Sequence, residues 1–313
     1  MKISEIGEFG LIERLVRPPR RETLIVGVGD DAAVMSITGN VVLTTDMLVE
    51  GDHFRTEWST PRQIGRKAMA SNVSDIAAMG GIPEYAFISI ALREGIDVGF
   101  MDELYAGMHD VADRYDIDIA GGDTTHGSVM VINVVVVGTV GQPVLRSGAA
   151  VGDLICVTGP LGGSKAGLEL LLAGRNGPAD AIAVHLDPGC RMDIAPTIAE
   201  VANSMIDVSD GLASEVNHIC DMSDVGAEVI ADWIPLSDST REAGNVLDAD
   251  PVRWALDGGE DFELVFTIHP DRLGEVEGSC TVVGRILAPE DGRVLVFDGE
   301  RLPLSGGYDH FRE

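Results

Sequence analysis

Acidic side chains recur in this sequence where short, strand-like apolar runs end. In each case an aspartate closes the run or follows directly after it. These aspartates are Asp30, Asp31, Asp46, Asp123, Asp207 and Asp210. Ligand sites in sheet proteins concentrate at strand ends. For any single residue of the set, a turn or helix-capping role is the more common explanation. The same feature occurs in both halves of the chain, however, and this recurrence favours a binding function.

A further aspartate, Asp75, lies on a predicted helix. The segment 61–79 begins with Pro61 directly after Thr60, a pair that is typical of a helix start. Asp75 shares one face of this helix with apolar residues such as Ile64. Burying an unpaired carboxylate there is costly, so it needs a partner. Either a neighbouring cation such as Arg66 or Lys67 provides it, or a metal ion shared with the loop aspartates does.

The electrostatics of such a cluster point to divalent cations. Two carboxylates about 4 Å apart repel by roughly 4 kcal/mol at an effective dielectric constant near 20. Four or five together would cost more than the marginal stability of a typical domain. Because the donors are all oxygen, Mg²⁺ or Mn²⁺ fits better than zinc. Nucleotide phosphates would then complete the coordination shell.

Other phosphate-binding and catalytic motifs are missing. The loop 159–165 resembles a P-loop but lacks the GxxxxGK[ST] spacing. The sequence contains neither the protein-kinase motif set nor a GxGxxG between a strand and a helix. Its seven histidines suggest no Ser-His-Asp arrangement. A phosphotransferase with this sequence would therefore work through bridging metal ions rather than a backbone cradle.

The charge balance limits the partners. The 313 residues include 51 acidic and 22 basic side chains, which gives a net charge of −29. Such a field repels nucleic acid and anionic membranes, so we expect neither as a partner. Most of these carboxylates belong to a solvated surface. Four widely spaced cysteines indicate reduced core thiols, and neither a signal core nor an apolar span is evident, which predicts a cytoplasmic protein.

The order of elements predicts two domains. Residues 1–143 are predicted to form an α+β domain, a sheet with helices on one face. A Gly-rich polar stretch, 141–153, marks the boundary. Residues 144–313 are predicted to form an α/β domain, a mixed sheet with flanking helices. The predicted strands are 24–28, 41–45, 117–120, 129–140, 154–158, 205–208, 262–268, 280–286 and 294–297. The predicted helices are 61–79, 104–115, 164–172, 191–203 and 211–222.

Several motifs, taken jointly, resemble those of thiamine-monophosphate kinases. They occur in the family's order and span nearly the whole chain. The motifs are Glu8-Phe-Gly-Leu-Ile12, Gly29-Asp-Asp-Ala32, Thr44-Thr-Asp46, Glu50-Gly-Asp-His-Phe54, Asn72-Val-Ser-Asp-Ile-Ala-Ala-Met-Gly80, Gly121-Gly-Asp-Thr-Thr125, Arg146-Ser-Gly-Ala149, Asp207-Val-Ser-Asp-Gly-Leu212, Gly258-Gly-Glu-Asp-Phe-Glu-Leu264 and Gly307-Tyr-Asp-His-Phe311.

The resemblance implies roles for particular residues. The metal ligands would be Asp31, Thr44, Thr45, Asp46, Asp75, Asp123, Asp207 and Asp210. ATP would contact Tyr105, Gly122, Arg146 and Ser209, and thiamine monophosphate would contact His53, Glu260 and Tyr308. Asp46 and Asp75 would be catalytic because they bridge metal ions. Tyr308 stands where some relatives carry Trp, and stacking on a cationic thiazolium would survive that exchange.

The resemblance also implies an activity and an assembly. The N-terminal domain would bind ATP and metal and would pair with its twin in a homodimer, and ATP would lie in the cleft between the domains. The expected reaction is ATP-dependent phosphorylation of thiamine monophosphate to thiamine diphosphate by direct in-line transfer. Several Mg²⁺ ions would act as cofactors, with K⁺ as a further candidate.

Two alternatives remain open. One is another ATP-using enzyme of the superfamily that includes aminoimidazole-ribonucleotide synthetase and selenophosphate synthetase. Selenophosphate synthetases usually carry Cys or selenocysteine beside an N-terminal Gly-rich loop, whereas no cysteine precedes Cys156 here. The other is a non-enzymatic, acidic protein that binds divalent cations, although the EF-hand spacing is absent.

Overall fold

The computed structural model describes residues 1–29 and 32–308. The chain divides into two units. The first holds Met1–Ile76 and Gly81–Gly141, and the second holds Ala77–Gly80 and the chain from Gln142 onward. The described part contains no helix whose length and apolar character would let it cross a membrane.

The first unit is built on a four-stranded sheet with the strand order β3-β6-β4-β5. All neighbours are antiparallel except β4 and β5, which are parallel. A short antiparallel pair, β1 and β2, lies outside this sheet. The elements are α1 (Ile3–Leu15), β1 (Leu24–Val26), β2 (Val34–Met35), β3 (Asn40–Val49), α2 (Pro61–Ala78), β4 (Ile82–Leu92), α3 (Val98–Tyr115), β5 (Asp118–His126) and β6 (Val131–Val140).

Side chains along β3 point alternately to the two faces of the four-stranded sheet. The hydroxyl of Thr44 contacts Asp75, so this face carries helix α2. On the opposite face Leu43 is 61% exposed and Met47 is 53% exposed. Period-two alternation explains why successive residues of the strand have different surroundings. The sheet therefore carries its helices on one face, as the sequence predicts.

Helices α2 and α3 cross at close range. A Cβ atom added to Gly107 of α3 would lie only 1.9 Å from the carbonyl oxygen of Arg62 in α2. Asp97 caps the start of α3, since its carboxylate accepts the N–H of Phe100 at 2.8 Å. The cap explains why α3 starts at Val98, earlier than the predicted residue 104.

The second unit is built on a seven-stranded sheet with the order β13-β12-β9-β11-β7-β10-β8. Its neighbours are antiparallel except β12 and β9, which are parallel, so the sheet is mixed as predicted. The strands are β7 (Leu154–Val157), β8 (Ser204–Asp207), β9 (Gly226–Ile230), β10 (Leu264–Ile268), β11 (Thr281–Leu287), β12 (Arg293–Phe297) and β13 (Glu300–Pro303). The helices are α4 (Gly163–Leu172), α5 (Ala179–Leu186), α6 (Ala195–Ala199), α7 (Leu212–Ser223), α8 (Asp238–Leu247) and α9 (Pro251–Asp257).

The core of the second unit joins the sheet to helix α7. Ile155 and Val157 of β7 are buried with Leu212 and Val216 of α7 in one apolar cluster. Burial of such side chains contributes about 25 cal/mol per Å² of apolar area removed from water. This packing fixes the start of α7 next to the loop that follows β8.

Candidate active site

In the first unit a strand and a helix bring three predicted ligands together. Thr44 and Asp46 lie two residues apart on β3, so both project toward α2. The hydroxyl of Thr44 donates to the carboxylate of Asp75, and the N–H of Asp46 donates to the side-chain oxygen of Asn72 at 3.1 Å. Asn72 and Asp75 are three residues apart on α2 and therefore share a face. The result is a compact set of oxygen donors.

Two cations, Arg66 and Lys67, stand close to Asp75 in the sequence of α2. Arg66 lies 3.1 Å from the carboxylate of Asp110, and the ammonium group of Lys67 donates to the carbonyl of His53 at 2.9 Å. The carboxylate of Asp75 accepts the hydroxyl of Thr44. Lys67 is buried, so its bond holds the turn in which His53 lies.

Asp123 lies on the far edge of the same sheet. The register aligns Asp46 with Val134, Val134 with Ile88, and Ile88 with Gly122, the residue before Asp123. Three strand spacings therefore separate Asp46 from this edge, about 14 Å at the usual distance between strands. Because Mg²⁺ binds oxygen at about 2.1 Å, one ion cannot bridge these two aspartates of a single copy.

The described residues 1–29 and 32–308 contain no group of three or more His, Cys, Asp or Glu side chains placed to hold a metal ion. The four-to-five-carboxylate cluster expected from the sequence is therefore not assembled in that part of the chain. Thr45 is exposed, and its hydroxyl donates to Asn133 at 3.1 Å. The predicted ligand Asp31 lies outside the described residues.

A cavity of about 560 Å³ lies in the first unit beside β5. Its lining includes Tyr105, Gly122 and Asp123, to which the family resemblance assigns nucleotide and metal binding, together with Phe87 and His109. This volume lies within the usual range for sites that take small molecules, roughly 300–1,000 Å³. The cavity thus brings together two predicted ATP contacts and one predicted metal ligand.

The wall of this cavity around α3 is uncharged at neutral pH. Burial raises the pKa of Tyr105 to about 12, so its hydroxyl stays protonated. Burial, together with the positive charge of Arg17, lowers the pKa of His109 to about 4. The rings of Tyr105 and His109 lie 6.4 Å apart, tilted by 56°. A neutral aromatic wall suits a heteroaromatic base better than a phosphate group.

The low pKa of His109 predicts a loss of stability in acid. In the unfolded chain a histidine has a pKa near 6.5. Between pH 6.5 and about 4 the unfolded state binds more protons than the folded state, so the free energy of unfolding falls as pH falls through this window. Between pH 7 and pH 4 wild type should lose roughly 3 kcal/mol more than His109→Gln. Urea titrations across this range measure the difference.

The control is His218→Gln, a change at an exposed histidine of the second unit. It should keep the wild-type dependence on pH. Parallel curves for His109→Gln and wild type would show that His109 titrates normally in the folded protein.

In the second unit, three loops carry most of the remaining predicted residues. The N–H of Glu260 donates to the carbonyl of Ser209, and the N–H of Tyr308 donates to the carbonyl of Asp210, both at 2.9 Å. Asp207 is buried at the end of β8, two residues before Ser209. The structure therefore brings predicted nucleotide, metal and acceptor contacts together in this unit.

The loop of Glu260 is held by a neighbour that sequence reasoning missed. Asp261 is buried and accepts the N–H groups of Gly162 and Ser164, at 2.6 and 3.0 Å, at the start of α4. Burial raises the pKa of Asp261 to about 7, against the opposing effect of these donors. Glu260 itself has a left-handed backbone, with φ of 63°, and its carboxylate lies 3.8 Å from Nδ1 of His185.

Arg146 and His53 differ in their exposure and in their hydrogen bonds. The Arg146 side chain is exposed, and its carbonyl accepts the hydroxyl of Ser223 at 3.2 Å. Nδ1 of His53 accepts the N–H of Val49 at 3.2 Å, which closes the turn after β3. His53 is therefore half-buried and held by its own turn.

Comparison with known proteins extends over the whole chain. Residues 29–140 match the family model described as AIR synthase related protein, N-terminal domain. The thiamine-monophosphate kinase of Aquifex aeolicus (strain VF5) is 35% identical over 99% of this chain and 100% of its own length. That of Mycobacterium tuberculosis (strain ATCC 25618 / H37Rv) is 38% identical over 99% of this chain and 93% of its own.

Solved structures of thiamine-monophosphate kinases are also similar to this chain over nearly its full length. The structure of AaThiL complexed with AMPPCP and TMP is similar with a TM-score of 0.81 at 35% identity and covers 99% of both chains. Thiamine-monophosphate kinase from Stenotrophomonas maltophilia K279a gives 0.84 at 33% identity, over 95% of this chain and 98% of that one. Hydrogenase maturation protein HypE, at 21% identity and a TM-score of 0.79 over 97% of this chain and 93% of its own, shares the fold. Full-length identity above 30% shows that the chain belongs to the thiamine-monophosphate kinase family.

Proposed function

We propose that this enzyme transfers the γ-phosphoryl group of ATP directly to thiamine monophosphate and so forms thiamine diphosphate. The observation that carries the proposal is the full-length similarity to AaThiL, whose solved structure holds AMPPCP and TMP. Two structural features support it. Tyr105 and Gly122 line one cavity, and backbone hydrogen bonds link the loops of Ser209, Glu260 and Tyr308; the resemblance to the family implies nucleotide or acceptor contacts for all five residues.

The oxygen donors of the first unit fit magnesium. Mg²⁺ is usually bound by one or two carboxylates, with substrate phosphates and water supplying the other ligands. Asp46, Asp75 and the hydroxyl of Thr44 match this donor set. In this proposal these three residues hold a metal ion in the first unit, and Asp207 and Asp210 are the proposed metal ligands of the second unit. Bound magnesium would neutralise phosphate charge and favour in-line transfer.

The distance between Asp46 and Asp123 supports a homodimer as part of the proposal. Strands β3 and β5 are the two edges of the four-stranded sheet. A second copy related by a twofold axis could place its β5 beside β3, which would bring the partner's Asp123 near Asp46. The same closure would cover Leu43 and Met47 on the exposed apolar face. Sedimentation velocity that finds only monomer at assay concentrations would contradict this assembly.

The acceptor chemistry requires no general base. The second pKa of a phosphate monoester is near 6, so the phosphate of thiamine monophosphate is largely dianionic at pH 7 and already nucleophilic. The protein then has to align the phosphates of ATP with the phosphate of thiamine monophosphate. Arg146 would bind ATP phosphate, while His53 and Glu260 would orient the acceptor. The ring of Tyr308, which is 54% exposed, is accessible for stacking on the cationic thiazolium.

A coupled assay of ADP release across a panel of acceptors tests the proposal. Thiamine monophosphate with Mg·ATP should give ADP and an equal amount of thiamine diphosphate, and thiamine without its phosphate should give neither. Activity confined to another acceptor would reject the proposed substrate. Intact mass after incubation with ATP alone should show an unmodified protein, and a gain of one phosphoryl group would reject direct transfer.

A further inference from the structure

Glu215 is a buried carboxylate to which the proposed reaction gives no role. It lies in the first turns of α7 and is 1% exposed. Its Oε1 atom accepts the N–H of Asp210 at 2.9 Å. An amide of the loop after β8 therefore binds a buried side chain of the following helix.

The opposite side of this loop binds the acceptor loops. The carbonyl of Ser209 accepts the N–H of Glu260, and the carbonyl of Asp210 accepts the N–H of Tyr308. The amide of Asp210 thus faces Glu215, while the carbonyls of Ser209 and Asp210 face the backbone of the two predicted acceptor contacts. A shift of this loop would move both groups together.

The chain gives this loop little room to move. Gly211, which follows Asp210, has φ of 109°, and a Cβ atom there would lie 2.6 Å from the carbonyl oxygen of Leu256. The loop is therefore packed against the end of α9 on one side and bound by Glu215 on the other. The hydrogen bond from the Asp210 amide to Glu215 thus restrains the loop from the side opposite α9.

We propose that Glu215 is a positioning residue. It holds the loop of Ser209 and Asp210 and so keeps the residues that contact the nucleotide and those that contact the acceptor in fixed relative positions. This inference rests on the proposed function. A simpler role is that of a helix cap, since a Glu near the start of a helix can reach back to preceding amides. The two roles differ in what they change: a cap affects stability alone, whereas a positioning residue also affects kinetics.

Glu215→Gln separates the two roles. The amide keeps one accepting oxygen but loses the charge and the second acceptor. We expect kcat/KM for thiamine monophosphate to fall by about 10- to 100-fold, the usual effect of losing a residue that orients ligands. The KM for thiamine monophosphate and the KM for Mg·ATP should both rise, because the loop contacts both sides.

Ser237→Ala is the matched control. Ser237 caps α8 in the same unit by accepting the N–H of Thr240 at 3.1 Å, and it has no part in the proposed site. The control should lower the midpoint of thermal unfolding and leave both KM values unchanged. If Glu215→Gln behaves in the same way, Glu215 is only a helix cap and the inference is wrong.

Hydrogen–deuterium exchange on the wild-type protein gives a second test that needs no stable variant. The amide of Asp210 should be strongly protected without ligand, and exchange at the rate of an open loop would contradict the inference. The two proposals can fail separately. Wild type that does not phosphorylate thiamine monophosphate overturns the proposed function, whereas an active wild type with unaltered kinetics in Glu215→Gln overturns only the role of Glu215.

Discussion

Asp75→Asn should lower the turnover of thiamine monophosphate by about 1,000-fold, equivalent to roughly 4 kcal/mol of lost transition-state stabilisation. Asparagine keeps the shape of the side chain and one oxygen that can accept the hydroxyl of Thr44. It loses the negative charge with which the donor set would attract magnesium. Because the local hydrogen bond survives, the fold should remain intact.

Steady-state ADP release and far-UV circular dichroism measure the two parts of this expectation. Asp110→Asn is a suitable control, because Asp110 lies in the same unit and pairs with Arg62 and Arg66 near the surface of α2 and α3. Exposed ion pairs contribute little to stability, so this control should retain nearly full activity. Full activity in Asp75→Asn would remove Asp75 from the proposed site.

The donor set around Asp75 could be predicted because it depends on short-range periodicity. Thr44 and Asp46 are two residues apart on a strand, and Asn72 and Asp75 are three apart on a helix. These spacings place each pair on one face whatever the topology. The only long-range requirement is that α2 packs on that face of β3, which the apolar stripe on α2 favours.

The position of Asp123 could not be predicted in the same way, because it depends on strand order. No sequence pattern indicates that β3 and β5 form opposite edges of the sheet. The strand between them in the chain, β4 at Ile82–Leu92, was also not predicted. It contains Pro83, and proline usually argues against an inner strand. The structure accommodates it with a shift of register between Pro83 and Tyr85.

Two element predictions were wrong for local reasons. Segment 191–203 was predicted to be helical, yet only Ala195–Ala199 forms α6, and Arg191 instead makes an ion pair with Glu263 at 2.5 Å. The strand predicted at 117–120 was expected to end at the two glycines, but β5 continues through them to His126. Glycine there marks close contact with the neighbouring strand rather than a turn.

Residues such as Glu215 and Asp261 escaped the sequence analysis for another reason. Each accepts hydrogen bonds from backbone N–H groups. Because nearly every residue has such a group, no sequence pattern identifies the partner. Asp261 binds the start of α4, about a hundred residues earlier in the chain. Such contacts become visible only when the loops are placed in space.

The close contact of β5 with β4 leads to the second large effect. Gly122→Ala should raise the KM for ATP by about 10-fold or more and lower the free energy of unfolding by roughly 3 kcal/mol. A Cβ atom at this position would lie 1.8 Å from the carbonyl oxygen of Ile88, and φ is 151°. The obstacle is backbone, which cannot rotate away as a side chain can. Strand β5 must therefore shift from β4 and carry Asp123 and the cavity wall with it.

Gly121→Ala is the matched control, since a Cβ atom there would meet only the ring of Phe87, at 3.0 Å, and a side chain can adjust. It should cost less stability and leave the KM for ATP within about threefold of wild type. Isothermal titration with Mg·AMPPCP and urea unfolding compare the two variants directly. If Gly122→Ala binds nucleotide as tightly as Gly121→Ala does, β5 can shift without consequence, and the cavity beside it is not the nucleotide site.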